Sequence, residues 1–151
     1  IYPKIVVDDE NNADPIDKFI PLYSDPKNIK IVQDAMFAST NEIRGTSYKS
    51  RIDNKKYQFA GKTGTAQVKK ITEKDRELDL KTFEIPYEER DHALYIAYGP
   101  YKNPRYATSI IIEHGGSGSS TAAPMAKKIF KLIIDRHNLR QSINEKKYLD
   151  V

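Results

Sequence analysis

The sequence predicts an α+β fold in which an antiparallel sheet of three strands packs against one helix that precedes it and one that follows it. Two stretches of alternating apolar residues, 92–99 and 106–113, are separated by the turn-forming segment PYKNP, which predicts a hairpin. Apolar residues at helical spacing then follow a glycine-rich turn. The 151 residues, 38% hydrophobic and 30% charged, suffice for about one domain with a modest core.

The residues before the sheet predict a short extended segment and a helix. Residues 5–7 favour an extended chain, and the acidic run DDENNADP after them is typical of a turn. The helix is expected to begin after Ser24, whose hydroxyl would cap its first N–H groups, and Pro26 suits its first turn. Near-helical apolar spacing continues to Met36, and we expect the helix to end near Ser39.

The middle of the chain predicts the first strand of the sheet. Gly45 opens a turn, and residues 57–68, YQFAGKTGTAQV, are typical of a strand. The long connection 69–91 mixes acidic and basic residues almost one by one. Such a mixture is typical of a solvated loop without chemistry of its own.

A helix is predicted to close the domain. The segment 115–120, GGSGSS, leads straight into this helix, so it is interpreted as a tight strand-to-helix turn and not as a flexible linker. Asn138 is expected to end the helix, which gives a domain of residues 1–139 and a polar tail of residues 140–151. The apolar stripe expected to face the core consists of Met125, Ile129, Leu132 and Ile133.

Composition argues against several classes of function. The net charge of +4 is spread along the chain without a basic stripe, so no nucleic-acid partner is expected. No apolar run reaches membrane-spanning length, and there is no cysteine for disulfides or thiol chemistry. His92, His114 and His137 lack metal-like spacing, so we expect neither a metal nor a cofactor. The chain begins without methionine and is expected to be cut from a longer protein.

The tripeptide Gly61-Lys62-Thr63 is the sequence feature that needs a functional explanation. It resembles the end of a phosphate-binding loop, but that motif requires a glycine where Lys56 stands. A helix should follow the loop, yet Gly64 and β-favouring residues come next. A lysine on a strand between small and hydroxylated residues therefore remains to be explained.

Several segments around this lysine resemble one family in the same order along the chain. The upstream helix and the Gly45-Thr46 pair also fit, and the resemblance extends to about Ile134. The family is that of the serine acyl-transferases, which includes penicillin-binding proteins and serine β-lactamases and whose third signature is K-T-G. The chain is similar to a class B penicillin-binding protein of the type 2, elongation-specific kind. The matching segments are AGKTGTAQ at 60–67, DHA at 91–93, Gly99-Pro100, the glycine-rich turn, and AAP at 122–124.

The resemblance implies a role for each residue of the strand. The family uses the strand to hold the free carboxylate of a peptide and to stabilise an oxyanion. Lys62 is implied to be catalytic and to supply positive charge, and Thr63 and Thr65 to bind the carboxylate with hydroxyls on one face of the strand. Gly64 leaves room for the substrate backbone, and the N–H of Thr65 is implied to be an oxyanion donor, which makes Thr65 catalytic as well.

The first two family signatures occur here only as misplaced strings. S-x-x-K stands at residues 24–27 and S-x-N at residues 142–144, but the family order is S-x-x-K, S-x-N and then K-T-G. Ser24 is better explained as a helix cap and Ser142 as a tail residue. The chain is therefore interpreted as the C-terminal part of a transpeptidase domain, inactive alone because it lacks the nucleophilic serine.

The resemblance also implies how the parent protein works and where. It would crosslink peptidoglycan stem peptides through an acyl-serine and be acylated by β-lactams, anchored at the periplasmic face of the bacterial inner membrane beside a glycosyltransferase of the elongation machinery. This fragment would not contact the membrane. The alternative is a non-catalytic, penicillin-sensor-like or degenerate domain that acts as a binding module. Because the family's sheet has five strands, the segment 106–113 would lack its usual partner. Self-association is therefore expected, either by pairing of this edge between two copies or by exchange of the C-terminal helix.

Overall fold

The structure is a computed structural model that describes residues 24–70 and 80–149, with side chains through residue 143. The extended segment and acidic turn expected near the start of the chain lie outside these residues. The described elements, in chain order, are helix α1 (Pro26–Asn41), strands β1 (Ala60–Ala66), β2 (His92–Gly99) and β3 (Tyr106–Ile112), and helix α2 (Ala123–Leu149).

The three strands form one antiparallel sheet in the order β1-β2-β3, which confirms the predicted α+β fold and hairpin. In the register of β1 with β2, Thr63 lies opposite Tyr95 and Thr65 lies opposite Ala93. Opposed residues of an antiparallel pair share a face of the sheet. Thr63 and Thr65 therefore lie on one face, as predicted.

Helix α2 packs on the sheet face that carries Tyr95, and together they form the core. The Phe130 ring of α2 stacks on Phe59 with centroids 5.0 Å apart, and Phe59 meets Tyr95 edge-on at 6.5 Å. These three aromatic side chains are fully buried. Aromatic burial on this scale dominates the stability of a small core.

The predicted apolar stripe of α2 is only partly confirmed: Ile129 and Ile133 are half-buried, but the other two residues face solvent. Met125 is 46% exposed and Leu132 is 61% exposed. The buried face is turned by about one residue, or roughly 100°, because small alanine side chains let the helix approach the sheet closely. A search for large apolar residues finds Phe130 and Ile134 but gives no weight to the two alanines of this face. The buried positions of this helix are Ala123, Ala126, Phe130 and Ile134.

Both helices differ from the prediction at their ends. Asp25, not Ser24, caps α1, since its carboxylate accepts a hydrogen bond from the N–H of Lys27 at 2.8 Å. Helix α1 ends at Asn41, two residues beyond the expected end. Helix α2 continues past Asn138, because neither glycine nor proline occurs in residues 139–149 and the arginine, glutamine, glutamate and lysine there favour helix. The domain boundary at residue 139 stays a prediction.

The charged connection is fastened at its two ends. Lys69 pairs with Glu89 at 2.6 Å, and Asp91 accepts a hydrogen bond from the N–H of Val68 at 3.3 Å. The described residues 80–91 include two short 3₁₀ turns. None of the helices in the described part of the chain combines the length and apolar character needed to span a membrane.

The glycine-rich segment forms the predicted strand-to-helix turn. Its backbone passes through the left-handed region at His114 (φ 54°) and Gly116 (φ 77°), then makes one π-helical turn over Gly118–Ala122 that continues into α2. A Cβ atom on Gly118 would lie 2.5 Å from the carbonyl oxygens of Gly64 and Leu94. Glycine is therefore required where this turn packs against the sheet.

Candidate functional site

Strand β1 has one edge that is not paired with β2. The N–H of Gly61 donates to Thr40 Oγ1 of α1 at 3.0 Å, and its carbonyl oxygen lies 3.4 Å from the same hydroxyl. In an antiparallel pair, the backbone groups of alternate residues point to the same edge. Thr63 and Thr65 therefore turn their N–H and C=O groups to the unpaired edge, whereas Lys62 faces β2 with its backbone. The N–H of Thr65 is therefore left without a strand partner among the described residues at this edge.

A cluster of buried hydroxyl groups holds the start of this strand. Thr40 Oγ1 lies 2.9 Å and Ser47 Oγ lies 3.0 Å from the phenolic oxygen of Tyr95. Burial raises the pKa of the Tyr95 phenol above its ordinary value, which further favours the neutral hydroxyl. The cluster joins α1, the following turn and β2, and its Thr40 hydroxyl replaces a strand partner for Gly61.

Lys62 lies exposed on β1, beside a groove of about 500 Å³. Its ammonium group donates to the Thr63 carbonyl oxygen at 2.8 Å and lies 3.4 Å from Thr63 Oγ1. A positive charge and a hydroxyl thus stand together at the open edge, an arrangement that suits a carboxylate. The other side of the groove is formed by α1 and the turn after it, including Ile31, Val32, Met36, Ser39 and Thr46.

A second chain of hydroxyl groups reaches Thr63 from α1. Thr46 Oγ1 lies 3.3 Å from Thr63 Oγ1 and 3.2 Å from Ser39 Oγ. The turn comes this close because Gly45 has no side chain: a Cβ atom there would lie 2.3 Å from the Ser39 carbonyl oxygen. Sequence reasoning did not assign Ser39, Thr40 or Thr46 to the site. The cluster of hydroxyl residues at the end of a predicted helix was the available signal.

The structure places all four predicted site residues on β1. The serines of the S-x-x-K and S-x-N sequences lie outside this strand. Ser24 is exposed just before α1, and Ser142 Oγ donates to the Leu139 carbonyl oxygen at 2.8 Å on α2. Neither position resembles a nucleophile beside Lys62.

The histidines make local packing and hydrogen-bond contacts. His92 and His114 come together through the hairpin, with ring centroids 4.9 Å apart, and His92 Nδ1 accepts a hydrogen bond from the His114 backbone N–H at 2.9 Å. His137 Nδ1 lies 2.6 Å from the Tyr106 hydroxyl oxygen. The described residues contain no group of three or more side chains that could hold a metal.

Comparison with known proteins gives one consistent result. The family model for the penicillin binding protein transpeptidase domain matches residues 5–131. The peptidoglycan D,D-transpeptidase MrdA of Salmonella typhimurium is 40% identical over 105 residues, which are 70% of this chain and 16% of that protein. The Haemophilus influenzae MrdA is 35% identical over 120 residues, 76% of this chain and 18% of that protein. The chain thus spans less than a fifth of the length of these relatives.

Solved structures agree. The PBP2 of Pseudomonas aeruginosa in complex with WCK 5153 has a TM-score of 0.57 at 31% identity, covering 78% of this chain and 23% of that one. The complex of PBP2 and MreC from Helicobacter pylori has a TM-score of 0.56 at 31% identity, covering 72% of this chain and 17% of that one. The matched segment includes the open edge of β1 with its lysine and two threonines, and the chain belongs to the penicillin binding protein transpeptidase domain family.

Proposed function

We propose that the full-length protein is a serine-type peptidoglycan D,D-transpeptidase and that this chain supplies its substrate-binding strand. The observation that carries the proposal is the open edge of β1, where the Lys62 ammonium lies beside the Thr63 hydroxyl and the Thr65 backbone faces outward. A peptide can add to such an edge through backbone hydrogen bonds.

Each residue of the strand has a proposed role. The hydroxyls of Thr63 and Thr65 bind the terminal carboxylate of a stem peptide, and Lys62 balances its charge. The Thr65 N–H stabilises the oxyanion that forms when a serine attacks the carbonyl of the penultimate residue. The terminal residue then leaves, and the acyl group passes from the serine to an amine of a second stem peptide. Gly64 keeps the strand surface open to the substrate backbone.

Residues 1–151 are proposed to be inactive alone, because we assign them no nucleophile. β-lactams are expected to acylate the parent on the serine outside this chain. We place the parent at the periplasmic face of the inner membrane, held by an anchor outside this chain, with an elongation-machinery glycosyltransferase as partner. The PBP2–MreC complex of Helicobacter pylori makes an MreC-type protein a further candidate partner.

The test is covalent labelling of the full-length protein with a fluorescent penicillin. Lys62→Ala is expected to slow acylation by about 10²–10³-fold, because a group beside the developing charge is lost. Lys128→Ala, which removes an exposed lysine of α2, is the matched control and should leave the rate unchanged.

Equal rates for the two variants would contradict the assignment of Lys62. A full-length wild-type protein that forms no hydroxylamine-sensitive adduct would instead favour the non-catalytic binding module. The isolated chain of residues 1–151 should remain unlabelled in the same experiment.

A further inference from the structure

We propose that Thr46 is a positioning residue that aims the Thr63 hydroxyl at the substrate carboxylate. The inference rests on the proposed function, since it assumes that Thr63 binds a carboxylate. The proposal assigns Thr46 to the support of Thr63 and not to the substrate directly, and it starts from the hydroxyl chain Ser39–Thr46–Thr63.

The directions of the hydrogen bonds follow from what each group can donate. The Lys62 ammonium has only hydrogens to give, so it donates to the Thr63 oxygen at 3.4 Å. Thr63 has a single hydroxyl hydrogen, which it must keep for the carboxylate. Thr46 therefore has to donate to Thr63 at 3.3 Å, and it is then free to accept from Ser39 at 3.2 Å.

This order makes a hydrogen-bond chain that runs from Ser39 through Thr46 to Thr63 and ends on the anion. Each hydroxyl that accepts a hydrogen bond becomes a better donor to the next group. Without the Thr46 hydroxyl, Thr63 loses that polarisation and can rotate its hydrogen away from the substrate. The loss is specific to a ligand that carries a negative charge at this position.

Thr46 is held rigidly enough for this role. The residue before it, Gly45, donates its N–H to the Glu42 carbonyl oxygen at 2.8 Å. The residue after it, Ser47, uses both its N–H and its hydroxyl on the Ser39 carbonyl oxygen, each at 3.0 Å. Because both neighbours are hydrogen-bonded to the end of α1, the backbone holds Thr46 beside Thr63.

The experiment compares a penicillin with its methyl ester in the full-length protein. Thr46→Val, which keeps the shape and removes the hydroxyl, should lower the second-order acylation rate with the acid roughly tenfold and change the rate with the ester little. Thr46→Ser should restore the rate with the acid. Ser39→Ala should give a smaller loss with the same selectivity, so the test does not depend on one variant folding.

Thr108→Val is the control for removing a threonine hydroxyl. Among the described residues the buried hydroxyl of Thr108 has no hydrogen-bond partner, so both rates should stay at their wild-type values. Equal rates in wild type and Thr46→Val, or equal losses with acid and ester, would overturn the role of Thr46 alone. A wild-type protein that reacts with neither compound would reject the proposed function and this role with it.

Discussion

The two edges of the sheet are built in opposite ways. The β1 edge begins at Gly61, whose backbone is satisfied by the Thr40 hydroxyl, and then opens at small and hydroxylated residues. The β3 edge reads YATSIII, without charge or proline, and its Ile111 is 63% exposed. Edge strands are normally protected by charges, prolines or bulges. The β1 edge is thus polar and open, as the proposed binding of a peptide requires, whereas the β3 edge has the composition of a strand that pairs with another strand.

The largest effect should come from the packing behind the β1 edge. Gly118→Ala places a Cβ atom 2.5 Å from the carbonyl oxygens of Gly64 and Leu94, and backbone cannot yield as a flexible side chain does. We expect the free energy of unfolding to fall by about 3 kcal/mol in urea denaturation. Gly64→Ala, whose Cβ atom would meet only the Leu94 side chain at 3.2 Å, should cost under about 1 kcal/mol. Equal midpoints for the two variants would argue against this packing.

The next effect tests the hydroxyl group that holds the β1 edge. Thr40→Val keeps the side-chain shape but leaves the buried N–H of Gly61 without its acceptor, so the free energy of unfolding should fall by about 2 kcal/mol. Hydrogen exchange at Gly61 should become faster in this variant. Thr108→Val on β3 is the matched control and should be neutral or slightly stabilising, because its hydroxyl has no partner among the described residues. An unchanged rate of hydrogen exchange at Gly61 would contradict its hydrogen bond to Thr40.

The smallest effect concerns the β3 edge. We propose that the isolated chain self-associates by pairing β3 with β3 of a second copy, and that Ile111→Lys weakens the dimer about tenfold, or ~1.4 kcal/mol. Light scattering at low and high protein concentration measures this self-association. Ile96→Lys is the control, since Ile96 is 52% exposed but lies on the central strand. A strictly monomeric wild-type chain contradicts the idea, and a dimer weakened equally by both variants indicates contact through the sheet face.

Local signals were enough to predict the hairpin and β1, the strand that carries Lys62. Alternation and turn residues lie within a few positions of one another, so they can be read directly along the chain. The cap of α1 was misassigned by one residue because serine and aspartate are equally good caps and stand side by side at Ser24 and Asp25. Propensity alone does not separate them.

The parts that could not be predicted depend on contacts between distant residues. Thr40 reaches Gly61 across 21 residues and Tyr95 across 55, and a threonine near a helix end gives no sign of such partners. The buried face of α2 was missed for a related reason. Ala123 and Ala126 are buried because the sheet lies close, and their small side chains carry little signal in the sequence.

The Thr40 hydroxyl also closes one end of the open edge of β1, the end at Gly61. A peptide that pairs antiparallel with β1 runs from the Ala66 end toward Gly61, so its last residue arrives where α1 begins to occupy the edge. A longer peptide finds no backbone partner beyond that point, because the N–H of Gly61 is already taken. In the proposed peptide complex, we therefore expect β1 to favour a peptide that stops beside Thr63 over one that continues past Gly61.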